Sequence, residues 1–554
     1  MKWTKRTNTN SVLKIVTERT DMSQNMLLND MNSYKINNLM EAVELYMYHI
    51  KHNSRIVWYT DYDADGINCG NIARTLNKAL KVDAKIIVPK RFSDGYGIKV
   101  RHVEDLDCDL LVLADNGIAA IDAVAKARER GIHVIIFDHH ETFVNEQKQI
   151  VLPNADVIVD PHITGGDFTD YCGAGLCYKF AIEVLRNYPY LTMEEKNAVM
   201  QKISTFAAIG TIADVVSLTG ENRRIVKIGV NNILKHNTTS GLQELLNLSG
   251  MGEYTTASSM AYFLCPQFNA YGRLDDNGSK LVSAFTSYDD VINEEISSGI
   301  SQIKDKNEER KELANEAFAR AELYIKANHL EDAHFIVFVD EAGSIGINGL
   351  TSGKITEKYK RPSIVVSPIS DTLLKGSGRS RDWANLKAIL DENNSLIEAY
   401  GGHPGACGIT LSRENIEAFT EAVNKSTPEI PDYEKSDEIF YDIDCPIDRI
   451  EELDGFITRL EPYGQGNPEL VVRIDNIPFE MDKFTKLHFK NMGSNGQHVK
   501  LKAKNCSFVW WNGTEEYKAL GKPKKASVLC TLGYNVWNGN KTVQAQIIAM
   551  IPSM

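Results

Sequence analysis

Two short stretches concentrate the polar chemistry of this chain. One is YTDYDADGINC, with Asp61, Asp63 and Asp65 inside five residues; the other is IFDHHET, where Asp138 is followed by His139 and His140. Three carboxylates this close repel one another unless something cationic sits among them. DYDADG opens like an EF-hand calcium loop, but that loop needs a Glu at its twelfth position and a helix in front. Here the twelfth position is Ile72, and the preceding RIVWYT reads as a strand. The cation site must be of another kind.

The elements that would position these residues can be read from the pattern around them. Short apolar runs RIVWYT, AKIIVP, LLVLAD, HVIIFD and VIVD alternate with helix-like segments such as NCGNIARTLNKALK and IDAVAKARERG. That alternation predicts parallel βαβ units in a doubly wound sheet, an α/β fold. Strands buried on both faces read as nearly continuous apolar runs, as these do. In such sheets ligands bind beyond the carboxyl ends of the strands. Asp61 to Asp65, Asp115, and Asp138 to His140 each follow a strand, so three strand ends deliver polar groups to one edge. Mixed imidazole and carboxylate ligation suits a divalent ion of intermediate hardness, with manganese more natural than calcium. One cation cannot neutralise so many carboxylates, and two ions about 3.5–4 Å apart form the clamp that hydrolyses phosphate esters.

The chain has 554 residues, which predicts about three or four domains. No apolar run approaches the ~18 residues of a membrane span. The start, MKWTKRTNTNSVLK, lacks the apolar core of a signal peptide, so a cytoplasmic address is expected. Nine cysteines without a C-x-x-C pair fit reduced thiols and argue against a structural zinc site. The net charge of −13 would argue against a nucleic-acid partner, but it is uneven. From Tyr463 onward 12 Lys and Arg face 6 Asp and Glu, so this stretch is +6 and the remainder −19.

We divide the chain into a partly helical leader (1–45), an α/β domain (46–290), a connecting helix (291–329), a second, smaller α/β domain (330–428), and a linker with a C-terminal β-barrel (429–554). The connecting helix rests on about thirty residues of strong helix formers without Gly or Pro, from SQIKDKNEER onward. The barrel rests on closely spaced strand-like runs such as HVKLKAKN and SFVWWNG.

DYDADG, LADNG, FDHH and IGTIADVVSL resemble the four ordered motifs of the DHH phosphoesterase superfamily. The resemblance implies that Asp63, Asp65, Asp115, His139 and Asp214 bind two divalent cations, Mn2+ or Mg2+, with Asp115 bridging. Asp61 would lie beside the first ion, as a ligand or a neighbour of one. Asp65, Asp115 and His140 would carry catalysis, His140 donating a hydrogen bond to the scissile phosphate.

Further segments resemble the RecJ-type single-strand DNA exonucleases of that superfamily. VPKRFSDGYG and PQFNAYGRLDD imply that Arg91 and Arg273 hold a terminal 5′-phosphate, a role suited to the planar guanidinium fork. Salt bridges to Asp94 and Asp275 are the plain alternative for these two arginines. GSGRSRDW and YGGHPGACG resemble the DHH-associated domain, which makes Arg379 and His403 further phosphate contacts. LEPYGQGNPEL resembles the segment that introduces an oligonucleotide-binding (OB) fold. There Lys500 and Lys502 would follow the backbone while Trp510 and Trp537 stack on bases, although alternation must bury some of the aromatics. Thr60, Asn116 and Tyr271 depart from the family pattern without removing a proposed ligand.

The resemblance implies a metal-dependent 5′-to-3′ exonuclease on single-stranded DNA, one strand entering a groove between two lobes and leaving as 5′-mononucleotides. Repair or recombination would be the setting, with a single-strand-binding protein or a helicase as partner, and the chain a monomer. The alternatives are a small-substrate phosphodiesterase acting on short RNA or cyclic dinucleotides, and a catalytically silent single-strand-binding subunit.

Overall fold

The computed structural model describes residues 2–29, 34–144, 149–251, 255–482, 486–493, 495–537 and 540–553. The chain forms two compact units, one of Met1–Gly272, Ser279–Ser301 and Ile439–Met554, the other of Arg273–Gly278 and Gln302–Glu438.

In the first unit five parallel strands run in the order Ala84–Ile87, Ile56–Tyr59, Leu110–Ala114, His133–Phe137, Val157–Val159. The three central strands lie at the core of the sheet, and Ile56–Tyr59 and Leu110–Ala114 are buried at every residue. That burial on both faces is why they read as unbroken apolar runs. Trp58, Phe137 and Phe180 stack together under one face. Tyr59 pairs with Leu113 and Ala114 with Phe137. Carried one or two residues further, the same register sets Asp61, Asp115 and Asp138 in one row beyond the strand ends.

The same unit contains the barrel. Its seven strands follow the order Ile443–Asp444, Val472–Pro478, Lys525–Trp537, Asn540–Pro552, Cys506–Trp510, His498–Ala503, Phe489–Met492. Within the partly helical leader expected over 1–45, residues 2–29 pack on the barrel. Strand Lys2–Lys5 pairs with Glu438–Tyr441, and Val12, Ile15, Val16, Met22 and Leu27 enter the same core as Val472, Leu501 and Phe508 of the barrel. The barrel's own strands leave this apolar face uncovered, so the first residues of the chain close it. Buried Arg223 joins barrel and parallel-sheet domain, donating to the carbonyls of Leu460 (2.9 Å), Pro462 (3.5 Å) and Leu27 (3.5 Å).

The second unit is built on a five-stranded sheet, Ala399–His403, Ala406–Ser412, Leu373–Arg379, Ser363–Pro368, Ile336–Val339, in which only the last two strands are parallel. Phe335, Ile364, Leu374, Leu390 and Phe419 fill its core. The helix Glu294–Ala327, 34 residues long, carries the chain from one unit to the other.

Candidate metal centre

Each acid at the sheet edge is placed by its own local structure. Asp63 caps the helix Ala64–Leu80, its side chain accepting from the amides of Asp65 (2.9 Å) and Gly66 (3.1 Å). Asp115 adopts φ 63°, a left-handed conformation that Asp tolerates better than most residues. Its amide extends the sheet by donating to the carbonyl of Phe137. Asp214 ends the helix Met193–Ala213. Two glycines let other helices approach: a Cβ at Gly173 would lie 2.6 Å from Asp115 Cβ, and one at Gly210 would lie 2.5 Å from Asp65 Oδ1. Asp65 in turn accepts from the amides of Gly173 (2.7 Å) and Ala174 (3.0 Å) at the start of helix Gly173–Asn187.

The structure brings all seven residues expected at the centre together. Asp61, Asp63 and Asp115 form one group whose ligand atoms lie within 4.8 Å of one another; Asp65, His139 and Asp214 form a second. His139 Nε2 lies 3.2 Å from Asp115 Oδ1, 3.7 Å from Asp214 and 3.9 Å from Asp65. Asp115 thus stands where the two groups meet. His140 shares a third group with Asp115 and His139, but its Nδ1 is 2.7 Å from Asp138 Oδ1, which leaves Nε2 to face a ligand.

The electrostatics are those of a cation site without its counter-charge. Burial, then the neighbouring Asp63, push Asp61 up to about 8. Burial and Asp63 push Asp65 up to about 6 against the two amides that hold it. Burial and the surrounding carboxylates raise Asp115 and Asp214 well above the usual range. Asp61 Oδ1 is buried with no hydrogen-bond partner, a costly state for a carboxylate unless a cation completes it. Burial, then His140, lower His139 to about 4, which keeps it neutral and ligand-ready. For His140 burial works downward, but the Asp138 hydrogen bond outweighs it and the pKa rises to about 9. The donor set fits divalent cations of the Mn2+ and Mg2+ class.

Two residues that hold this centre went unassigned in the sequence. Asp138 accepts from the amides of Ile118 (2.8 Å), His139 (2.8 Å) and His140 (3.2 Å) besides the His140 ring. Asn269 Oδ1, in the FNAYGRL segment, accepts from the amide of Ala64 at 3.1 Å and so steadies the acidic loop. Asn116 is fully buried and ties two strand ends through the carbonyls of Tyr59 (3.2 Å) and Ala114 (3.0 Å).

Arg91 lies with the metal centre in the first unit, its guanidinium 4.3 Å from the Tyr62 ring centroid. Asp94 instead accepts from the Lys90 amide at 2.9 Å. In the second unit Arg273 donates to the Gly346 carbonyl at 3.3 Å. Arg379 and His403 both align with Ala406 on the strand between them, one row of the sheet. Burial lowers the Arg379 pKa; Arg379 donates to the Gly378 carbonyl at 2.8 Å.

On the barrel, Lys490 stands directly opposite Lys500, and Lys500 opposite Val509. Like charges facing each other across strands are unfavourable without an anion. Lys502 is exposed, 3.4 Å from Glu480. Trp510 is half-buried: it shares the row of buried Val499 and packs against the barrel core. Trp511, 49% exposed, is the aromatic turned outward, against the His498 ring. Trp537 ends strand Lys525–Trp537, and its side chain lies outside the described residues.

The comparisons with known proteins follow the same three parts. The DHH family N-terminal domain matches residues 55–211, the DHHA1 domain 333–427 and the RecJ OB domain 441–549. The chain carries the DHH, DHHA1 and RecJ OB domains in that order. The single-stranded-DNA-specific exonuclease RecJ of Bacillus subtilis strain 168 is 29% identical over 532 residues, which cover 93% of this chain and 63% of that protein. The chain thus spans a little under two thirds of the Bacillus relative. The RecJ of the same description from Haemophilus influenzae is 28% identical over 509 residues, 88% of this chain and 84% of its own length. RecJ of Thermus thermophilus, solved in complex with Mn2+, superposes with a TM-score of 0.77 at 23% identity, covering 100% of this chain and 80% of that one. It shares the fold.

Proposed function

We propose that the chain is a metal-dependent 5′-to-3′ exonuclease on single-stranded DNA that releases 5′-mononucleotides. The observation that carries this reading is the convergence of Asp61, Asp63, Asp65, Asp115, His139 and Asp214 at three strand ends and one helix end, with an orphaned buried oxygen on Asp61. Asp61, Asp63 and Asp115 would hold one divalent cation and Asp65, His139 and Asp214 the other, with Asp115 shared. Mn2+ suits this mixed imidazole and carboxylate set best; the Thermus relative has been solved with Mn2+ and with Mg2+. Bound there, such a pair supplies a water acidified to act as nucleophile and positive charge for the attacking and leaving oxygens.

The remaining work belongs to side chains. His140, oriented through Nδ1 by Asp138, donates from Nε2 to the scissile phosphate. Arg91 receives a terminal phosphate, Arg273 is a further contact for it, and Arg379 and His403 serve the strand from the DHH-associated domain. Lys490, Lys500 and Trp511 supply the charge and stacking surface of the barrel. The division 46–290 for chemistry, 330–428 for strand contacts and 429–554 for capture follows from these roles, with residues 2–29 added to the barrel.

A phosphodiesterase for dinucleotides has no use for such a barrel, and a silent binding subunit has no use for an intact ligand set. Among the described residues no helix is long and apolar enough to cross a membrane. We place the protein in the cytoplasm as a monomer, supplied with single strands by a helicase or a single-strand-binding protein in repair or recombination.

Digestion of 5′-phosphorylated, 3′-blocked single strands, with Mn2+ or with chelator, tests the reading. Mononucleotides that appear from the 5′ end only with metal support it. Metal-independent cleavage, or a preference for the shortest substrates, overturns it.

A further inference from the structure

Two helices that reach the metal centre also wall a pocket of about 500 Å³ elsewhere in the same unit. Helix Ala64–Leu80 contributes Arg74 and Lys78, helix Met193–Ala213 contributes Lys202, and Tyr288, Asp289 and Asp290 close it. Arg74 follows Asp65 by nine residues, about 14 Å along the helix axis. The pocket is therefore distinct from the metal centre.

Its charges do not balance internally. Lys78 pairs with Asp290 at 2.8 Å and Lys202 with Asp289 at 2.5 Å, so each acid already has its own cation. Arg74 is left over. Its Nε is buried without a hydrogen-bond partner, and among the described residues no carboxylate or carbonyl accepts from its guanidinium. Burial lowers its pKa. A largely buried guanidinium without an acceptor is costly, and its fork matches phosphate oxygens. The remaining wall is largely apolar, with alanine methyls and the Tyr288 ring. A cavity of this size with a few polar groups and one unpaired charge suits a small molecule.

We propose that this pocket binds a phosphate-bearing small molecule of mononucleotide size, its phosphate on Arg74 and its base along the Tyr288 wall. The inference is independent of the nuclease reading, since binding here needs neither metal nor cleavage.

The test is calorimetric titration of the full-length, chelator-treated protein with dTMP and with thymidine. The proposal expects dTMP to bind, thymidine not to, and inorganic phosphate to compete. Arg74→Met, which keeps the stem, should weaken dTMP by about tenfold or more, as expected for a lost charge-assisted bond. Ala198→Glu places a negative charge on the exposed rim without touching the core, and should abolish binding even if Arg74→Met folds poorly. Absence of dTMP binding, equal binding of thymidine, or binding unchanged in Ala198→Glu would overturn the proposal.

Discussion

Asp138 Oδ1 sits 2.7 Å from Nδ1 of His140 and also accepts the backbone amides of both histidines of the motif. One carboxylate therefore fixes the ring position and the protonated nitrogen of the residue next to the metal ligands. Asp138→Asn cannot satisfy all of these donors. Its kcat should fall about 10–100-fold, the usual cost of losing such a support, while single-strand affinity measured in chelator stays unchanged. Full activity in this variant would show that the contact is dispensable.

The metal-free protein should lose stability as pH rises. Asp61 stands at about 8 in the fold against an ordinary 3.8, and His140 at about 9 against 6.5. A raised pKa means that the folded state favours the protonated form; the stabilisation is complete below the unfolded pKa and is lost as pH climbs through the folded one. The windows run from 3.8 to about 8 for Asp61 and from 6.5 to about 9 for His140. His139, lowered to about 4, acts the other way between about 4 and 6.5. The decline is thus cleanest above pH 6.5. Melting of chelated protein should show Tm falling over that range, and Mn2+ should reverse the fall because it takes up the deprotonated acids. A flat or rising profile without metal contradicts the electrostatic picture.

Neighbouring tryptophans on the barrel should behave in opposite ways. Trp511→Ala should weaken single-strand binding by about 1–3 kcal/mol and leave Tm nearly unchanged. Trp510→Ala should cost stability, about 3 kcal/mol for an aromatic packed against a core, with affinity per folded molecule preserved. Fluorescence anisotropy and denaturant melts separate the two. Equal effects on affinity would return Trp510 to the binding face.

Arg223→Met removes the donor shared by the Leu460, Pro462 and Leu27 carbonyls. Loss of charged hydrogen bonds in a buried setting should cost about 2–3 kcal/mol. Because these bonds join barrel and parallel-sheet domain, calorimetry should resolve two transitions where the parent shows one. A single transition at the original temperature would mean the domains are coupled elsewhere.

The metal centre was legible in the sequence because strand ends are. Apolar runs ending in Asp115 and Asp138 announce both the sheet and the edge to which their carboxylates point, whereas Asp214 came only from the resemblance of IGTIADVVSL to a family motif. Barrel details were less accessible for a geometric reason. Alternation tells that Trp510 and Trp511 face opposite ways, but which of them faces inward depends on the strand's pairing with Val499. Arg223 and Arg74 carry no local signal: Arg223 meets carbonyls far away in sequence, and the pocket at Arg74 is closed by residues from 198 to 290. The opening residues are the hardest to read: polar and Asn-rich, they hold only a few apolar positions, and the partners of those positions lie more than 400 residues away.

That last separation has a consequence for synthesis and for handling the protein. Lys2–Lys5 and the helix behind it are made more than 400 residues before the strand they pair with, Glu438–Tyr441. Contacts of such long sequence separation form late and slowly. Until the barrel strands have been made, Val12, Ile15 and Val16 lack the core they pack into, and a chaperone becomes a natural escort for the nascent chain. An excised barrel begun at residue 439 would lack its lid for the same reason, whereas one fused to residues 2–29 should stay in solution.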